Sequence, residues 1–72
     1  MKTNRLVVGK TYEIRYKGVW EYDGYEGLGV YTGKIDKDDE EGDFFGFILP
    51  EIPGSTQEDP HWFPLDSIFS VE

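Results

Sequence analysis

The sequence predicts an all-β fold, a single small barrel of short strands. Three observations predict it. Residues 10–17 alternate between apolar and polar side chains, glycine and proline interrupt the chain at short intervals, and no segment offers ten residues of helical period free of both. The chain has 72 residues and no cysteine, so a compact apolar core must stabilise it without disulfides. Residues 1–72 are expected to form one domain, with residues 1–5 expected to be disordered.

The first predicted strand is KTYEIRYK, residues 10–17. Tyr12, Ile14 and Tyr16 fall on one face of an extended chain, and the charged or polar residues between them fall on the other. This alternation is typical of a strand that is buried on one side only.

Two further strands are predicted in the middle of the chain. GLGVYTGKID, residues 27–36, is β-branched and aromatic, and its glycines indicate a strand that bends or lets another backbone approach. DFFGFILP, residues 43–50, is apolar on both faces and is closed by Pro50, with Gly46 as a bend or bulge. KDDEEG between them suits a hairpin connection that ends in a glycine, and EIPGSTQEDP, residues 51–60, is predicted to be a loop.

The last stretch, HWFPLDSIFSVE at residues 61–72, predicts a short aromatic strand, one tight helical turn at residues 65–67 and a final strand. It resembles the carboxyl-terminal end of Src homology 3-like (SH3-like) small barrels. The FPLDSI phrase is similar to the ending of small barrel proteins encoded by bacteriophages and bacteria. The resemblance implies a five-stranded SH3-like barrel with one 3₁₀ turn, in which LVVGKTYEI supplies the opening strand.

Charge is unevenly distributed along the chain, whose net charge is −8. Residues 1–20 hold five bases and one acid, whereas residues 21–72 hold fourteen acids and only two bases. Such a surface repels phosphate, so direct binding of nucleic acid is not expected. A partner protein with a basic surface is expected instead. No apolar run reaches the length of a membrane span, and a cytoplasmic location is expected.

The acidic run DKDDEEGD, residues 36–43, does not fit a calcium loop of the EF-hand type. Counting from Asp36, Glu41 occupies the position of the required glycine and Phe47 stands where a bidentate glutamate is needed. No metal and no cofactor are expected. His61 is the only histidine, and it has neither a cysteine nor a serine elbow beside it, so no enzymatic activity is predicted; a pairing with Glu58 or Asp59 is expected instead.

Acidic and aromatic residues together predict the binding site. Twelve of the 72 residues are Phe, Tyr or Trp, more than so small a barrel can hide together with its aliphatic residues. Six are assigned to the core: Tyr12, Tyr16, Phe45, Phe47, Phe63 and Phe69. Five in or beside loops are assigned to an interface: Trp20, Tyr22, Tyr25, Tyr31 and Trp62.

Carboxylates beside such rings favour an arginine-rich partner, through cation-π contact and bidentate pairing. The predicted protein-binding residues are Trp20, Glu21, Tyr22, Asp23, Tyr25, Glu26, Asp38, Asp39, Glu40, Glu41, Asp43, Glu58, Asp59 and Trp62.

The function expected from these features is that of a non-enzymatic protein-binding module with an acidic, aromatic-rimmed surface. The resemblance to phage proteins implies an inhibitor of a host defence or nucleic-acid-handling protein, acting by DNA mimicry in the host cytoplasm. Two alternatives stay open: an SH3-like adaptor that holds a short peptide against residues 20–27 and the HWF strand, and a protein, monomeric or oligomeric, that sequesters a small ligand such as a nucleotide. A solvated hairpin turn is the simplest account of residues 36–43.

Overall fold

The computed structural model describes residues 5–18, 24–38, 40 and 42–71. Five antiparallel strands form one sheet in the order β4-β3-β2-β1-β5. Their bounds are β1 Thr11–Tyr16, β2 Tyr25–Asp38, β3 Gly42–Ile48, β4 His61–Pro64 and β5 Ile68–Ser70. The all-β prediction is confirmed, and the strands form a sheet with β4 and β5 at its two edges.

The alternation in the first strand has the predicted effect. Tyr12 and Ile14 are buried, at 1% and 0% exposure, and Tyr16 packs against the core. The strand begins at Thr11, however, so the expectation of an opening strand from residue 6 is wrong. Residues 7–10 make a turn instead, because the Lys10 N–H donates to the Val7 carbonyl and Gly9 adopts φ +84°.

β2 is about twice as long as a typical strand and pairs with two neighbouring strands. Its first half pairs with β1, from Tyr16↔Tyr25 to Thr11↔Val30, and its second half pairs with β3. The register shifts between Tyr31 and Ile35, where Gly33 adopts φ +88°. This irregularity bends the strand as its glycines predicted, and carries its far end away from the core.

The acidic run forms the end of the β2–β3 hairpin. Asp38 is paired with Gly42, whose φ is +88°, so the connection ends in a glycine as predicted. Within the turn the Glu40 N–H donates to the Asp38 carboxylate over 2.8 Å. This side-chain bond replaces a backbone partner for Glu40 and is typical of aspartate at turns.

The carboxyl-terminal elements follow the predicted order. Residues 49–60 are the loop, β4 crosses beside β3 with Phe45↔Phe63 in register, and Leu65–Ser67 make the 3₁₀ turn that leads into β5. Within the described residues, no helix is long and apolar enough to cross a membrane.

The core lies between the two halves of the bent sheet. Phe47 is fully buried and its ring contacts three others, those of Tyr12, Tyr31 and Phe63, at centroid distances of 6.1, 5.4 and 6.2 Å. The buried apolar residues are Tyr12, Ile14, Tyr31, Phe47, Leu49, Phe63 and Ile68.

Two aromatic assignments are wrong. Tyr31, assigned to the interface, is buried at 5% exposure because it lies inside β2 rather than beside a loop. Phe69, assigned to the core, is only half-buried, because its pairing with Glu13 places it on the outer face of the sheet.

Candidate functional site

A groove of about 800 Å³ lies along the edge strand β4. Its floor is aromatic and aliphatic, and three aspartates lie along it. The lining residues are Tyr16, Gly24, Tyr25, Asp36, Asp38, Phe44, Leu49, Ile52, Asp59, Pro60, His61, Trp62 and Phe63. Concave, mainly apolar surfaces of this size with a few polar groups are typical of binding sites.

The β2–β3 hairpin supplies one acidic wall. Asp36 and Asp38 are two residues apart on β2, so both fall on the same face of the strand, opposite the face that carries Ile35 and Lys37. Asp36 is directly opposed to Phe44 on β3, which is in turn opposed to Pro64 on β4. A carboxylate and an aromatic ring therefore stand side by side at this end of the groove.

The loop at residues 49–60 supplies the third aspartate, and internal hydrogen bonds hold it in place. The Asp59 N–H is close to both the Thr56 carbonyl and the Thr56 hydroxyl, at 3.2 and 3.1 Å. Gln57 ties the same stretch to β2, because its amide donates to the Thr32 carbonyl over 3.3 Å. Asp59 thus lines the same groove as Asp36 and Asp38, although it lies more than twenty residues from them in sequence.

Trp62 lines the groove from β4. Its indole rests on Gly46 of β3, where an added Cβ would stand 3.2 Å from the ring carbon Cζ3. Because Gly46 has no side chain, the indole can pack directly against the backbone of the sheet. Trp62 is 38% exposed, so a bound partner can still reach it.

Three further rings of the groove form one aromatic cluster. Tyr16 and Tyr25 are directly opposed on β1 and β2, and both contact Phe63, with centroids 5.6 and 5.9 Å away. The Tyr25 hydroxyl donates to the Leu28 carbonyl over 2.9 Å, which fixes the orientation of its ring. Burial, and then the negative charge of Glu51, raise the pKa of Tyr25 above its ordinary value.

This raised pKa makes stability fall in alkali. Because folding favours the protonated phenol, its contribution is complete below pH 10 and is lost as pH rises through the higher pKa of the folded state. Tyr31, whose pKa is raised by burial and then by Tyr12, acts in the same direction. We expect the free energy of unfolding, measured in urea, to fall above pH 10 and to fall less steeply in Tyr25→Phe. An equal slope in both proteins would contradict the assignment.

His61 is held by a hydroxyl rather than by a carboxylate. Its Nδ1 lies 3.1 Å from Ser55 Oγ, so the pairing expected with Glu58 or Asp59 is wrong. Ser55 Oγ also accepts the Leu49 N–H over 2.8 Å, so one hydroxyl contacts both the Leu49 backbone and the imidazole. The serine thus joins the start of the loop to the start of β4, a structural role.

The structure brings together part of the predicted binding site. Tyr25, Asp38, Asp59 and Trp62 all line the groove. Four other predicted residues in the described part of the chain do not line it: Glu26, Glu40, Asp43 and Glu58. Six lie outside the described residues: Trp20, Glu21, Tyr22, Asp23, Asp39 and Glu41.

Asp36 is the charged groove residue that the predicted site omitted. Its two-residue spacing from Asp38 was the signal that could have found it, because strand alternation puts both on one face. Phe44 and Pro60 gave no such signal, since the sequence does not show which face of β3 is covered or how the loop folds back. Within the described residues, no three His, Asp or Glu side chains lie close enough together to hold a metal ion.

Comparisons with family models, with curated proteins and with solved structures found no match for this chain.

Proposed function

We propose that this protein is a non-enzymatic protein-binding module whose groove takes a basic segment of a partner protein. The observation that carries the proposal is that Asp36, Asp38, Asp59 and Trp62 line one groove together with several aromatic side chains. These carboxylates come from two separate parts of the chain. Carboxylates attract Lys and Arg, and the exposed indole and buried rings offer the apolar contact that holds a bound segment.

The chain's overall charge supports the same partner class. A net charge of −8 creates an attractive field for a basic protein surface and a repulsive one for phosphate. Rim charges act chiefly on the rate of encounter, while the buried ring contacts act on dissociation. We therefore propose a protein partner, and not DNA or RNA, for the groove.

The finer fold assignment belongs to the same proposal. We propose that the bent sheet is an SH3-like barrel, with residues 1–72 as its single domain. What supports this is the strand order β4-β3-β2-β1-β5 together with the single 3₁₀ turn between β4 and β5. The FPLDSI phrase falls across that turn, from the end of β4 to the start of β5.

The proposed biological role is that of a phage or mobile-element inhibitor of a host defence or nucleic-acid-handling protein, acting in the host cytoplasm. Its support is the resemblance of FPLDSI to phage-encoded barrels and the acidic groove, which would compete with phosphate for a basic site. Duplex DNA should then displace the inhibitor from its target. Simultaneous binding of DNA and inhibitor to the target would contradict mimicry.

The groove proposal is tested by removing the three aspartates that line it. We expect the variant Asp36→Asn, Asp38→Asn, Asp59→Asn to bind a blocked peptide of alternating Arg and Leu about tenfold more weakly, because each neutralised charge contributes up to about 1 kcal/mol. Asparagine keeps the Oδ1 acceptor that Asp38 offers to the Glu40 N–H. Fluorescence of the two tryptophans during peptide titration measures the affinity at low and at high salt.

The matched control is the variant Glu40→Gln, Asp43→Asn, Glu58→Gln. It changes the net charge by the same amount at exposed carboxylates that do not line the groove. We expect a much smaller loss of affinity, which salt abolishes because only long-range attraction is affected. Equal losses in the two triple variants would mean that net charge, and not the groove, binds the peptide.

A peptide adaptor is the second candidate, favoured by the extent of the aromatic floor. Tyr16, Tyr25 and Trp62 line the same groove as Pro60, an arrangement that suits an extended proline-rich segment. A neutral proline-rich peptide that binds as well as the Arg-Leu peptide, at low and high salt alike, would favour this candidate. A nucleotide panel in the same assay tests whether the groove takes a small ligand.

A further inference from the structure

A second surface, on the far side of the sheet from the core, has no part in the groove. Leu28, Glu13 and Phe69 form one row across three strands, because Glu13 is directly opposed to Leu28 on β2 and to Phe69 on β5. Thr11 is opposed to Val30 one row further along. We call the face made by these two rows the outer face.

The outer face is more apolar than a solvent-facing sheet surface usually is. Leu28 is 49% exposed, and so is Val71, which directly follows β5. Val30 and Phe69 are half-buried. In an antiparallel sheet covered on one side only, the open side is typically polar, so apolar residues at these alternating positions indicate a covering partner.

Two opposite charges lie on the same side of the sheet as the outer face, Glu13 within it and Arg15 in the next row of β1. Arg15 and Glu13 are two residues apart on β1 and form an ion pair of 2.5 Å, and the Arg15 guanidinium lies over the Phe69 ring at 5.1 Å. Both side chains still reach solvent, at 59% and 37% exposure. Each can therefore gain a second partner from a molecule that docks on this face.

The arrangement is self-complementary. In a twofold contact each copy presents the same patch. If residue i of the first copy contacts residue j of the second, then residue j of the first also contacts residue i of the second. When two β1 strands run antiparallel across the axis, Glu13 of each copy can face Arg15 of the other, with Leu28 and Phe69 packed around them. A strongly acidic or strongly basic partner would leave one of these two charges opposed by its own sign.

The strands of the outer face carry few acidic residues. β5 carries no charged residue, the first half of β2 carries only Glu26, and Lys10 and Lys17 flank β1. Of the other acids in the described part of residues 31–71, most lie on the hairpin and the 49–60 loop. A contact through the outer face thus brings together strands that carry few acids, in a chain whose net charge is −8.

We propose that a second copy of this chain covers the outer face, so that the protein forms a twofold dimer through β1, β2 and β5. The dimer leaves both grooves free, since no residue of the two rows lines the groove. The protein would then present two basic-segment sites, which increases avidity for a partner that has two such segments.

Sedimentation equilibrium of the full chain, from low micromolar to millimolar concentration, tests the dimer. We expect the average mass to rise from one to two chains, and Leu28→Lys to raise the dissociation constant at least tenfold. Ile35→Lys is the matched control, because Ile35 is 47% exposed but lies on the hairpin. A monomer at every concentration, or equal weakening by the two variants, would overturn the proposal.

A charge exchange tests the twofold geometry. Glu13→Arg alone and Arg15→Glu alone should each weaken the dimer, because like charges then meet across the axis. The two changes together should restore it, since each copy again offers one charge of each sign. A double variant as weak as either single one would overturn the twofold arrangement, and thermal unfolding of each variant shows whether it is folded.

Discussion

Replacing Phe47 with alanine is expected to leave a protein that is largely unfolded at room temperature or close to it. Phe47 is fully buried, and its ring contacts Tyr12, Tyr31 and Phe63. Removing a buried phenylalanine side chain costs about 3–5 kcal/mol, from lost transfer free energy and the cavity left behind. Domains are stable by only about 5–15 kcal/mol, and one this small lies towards the lower end.

Urea unfolding followed by circular dichroism measures this loss. Phe44→Ala is the control, because Phe44 belongs to the same strand but is only half-buried and lines the groove. We expect its cost to be less than half that of Phe47→Ala. If the two substitutions cost the same, the ring cluster around Phe47 is not the centre of the core.

A substitution at Gly29 is also expected to destabilise the protein strongly, since there is no room for a side chain in the core at this position. A Cβ at this position would stand 2.7 Å from Ile14 Cδ1, 3.0 Å from Leu49 Cδ2 and 3.3 Å from Phe47 Cβ. All three neighbours are fully or almost fully buried and cannot move into solvent. Gly29→Ala should therefore cost roughly 1–3 kcal/mol by overpacking the core.

Ile14→Val provides a specific test, because it removes the Cδ1 atom that the new Cβ would meet most closely. Alone, it should cost about 0.5–1.5 kcal/mol. In Gly29→Ala with Ile14→Val, the two costs should not add, and the double variant should be more stable than their sum by about 1 kcal/mol. Strict additivity in urea unfolding would show that the clash is relieved elsewhere.

The strands were predictable where apolar and polar residues alternate regularly in the sequence. Tyr12, Ile14 and Tyr16 alternate with polar residues, so the face of β1 that is buried follows from the pattern alone. A tight helical turn at residues 65–67 was also predicted from the sequence, and its 3₁₀ form was implied by the resemblance to SH3-like barrels. Tyr31 and Phe69 were assigned to the wrong environments because the sequence does not show how far β2 extends or which side of β5 faces inward.

The candidate site was only partly predictable for the same reason. Composition identified acids and exposed aromatics as the binding groups, and Tyr25, Asp38, Asp59 and Trp62 do line one groove. Asp36 joins them through the strand register, whereas Asp43 and Glu58, equally acidic in sequence, do not line it. Acidic residues that look equivalent in the sequence thus occupy different places in the fold, and amino-acid composition contains no information about this.

By itself, the sequence determined the all-β class, the order of the strands along the chain and the negative charge, because these depend on local alternation, on glycine and proline, and on residue counts. The tertiary structure decided which distant carboxylates line one groove with Trp62 and which apolar residues stay on the outer face. These depend on strand pairing between residues far apart in the chain, such as Gly46 with Trp62 and Glu13 with Phe69. Pairing of this kind is set by the packing of the whole core, so it cannot be predicted from a local sequence pattern.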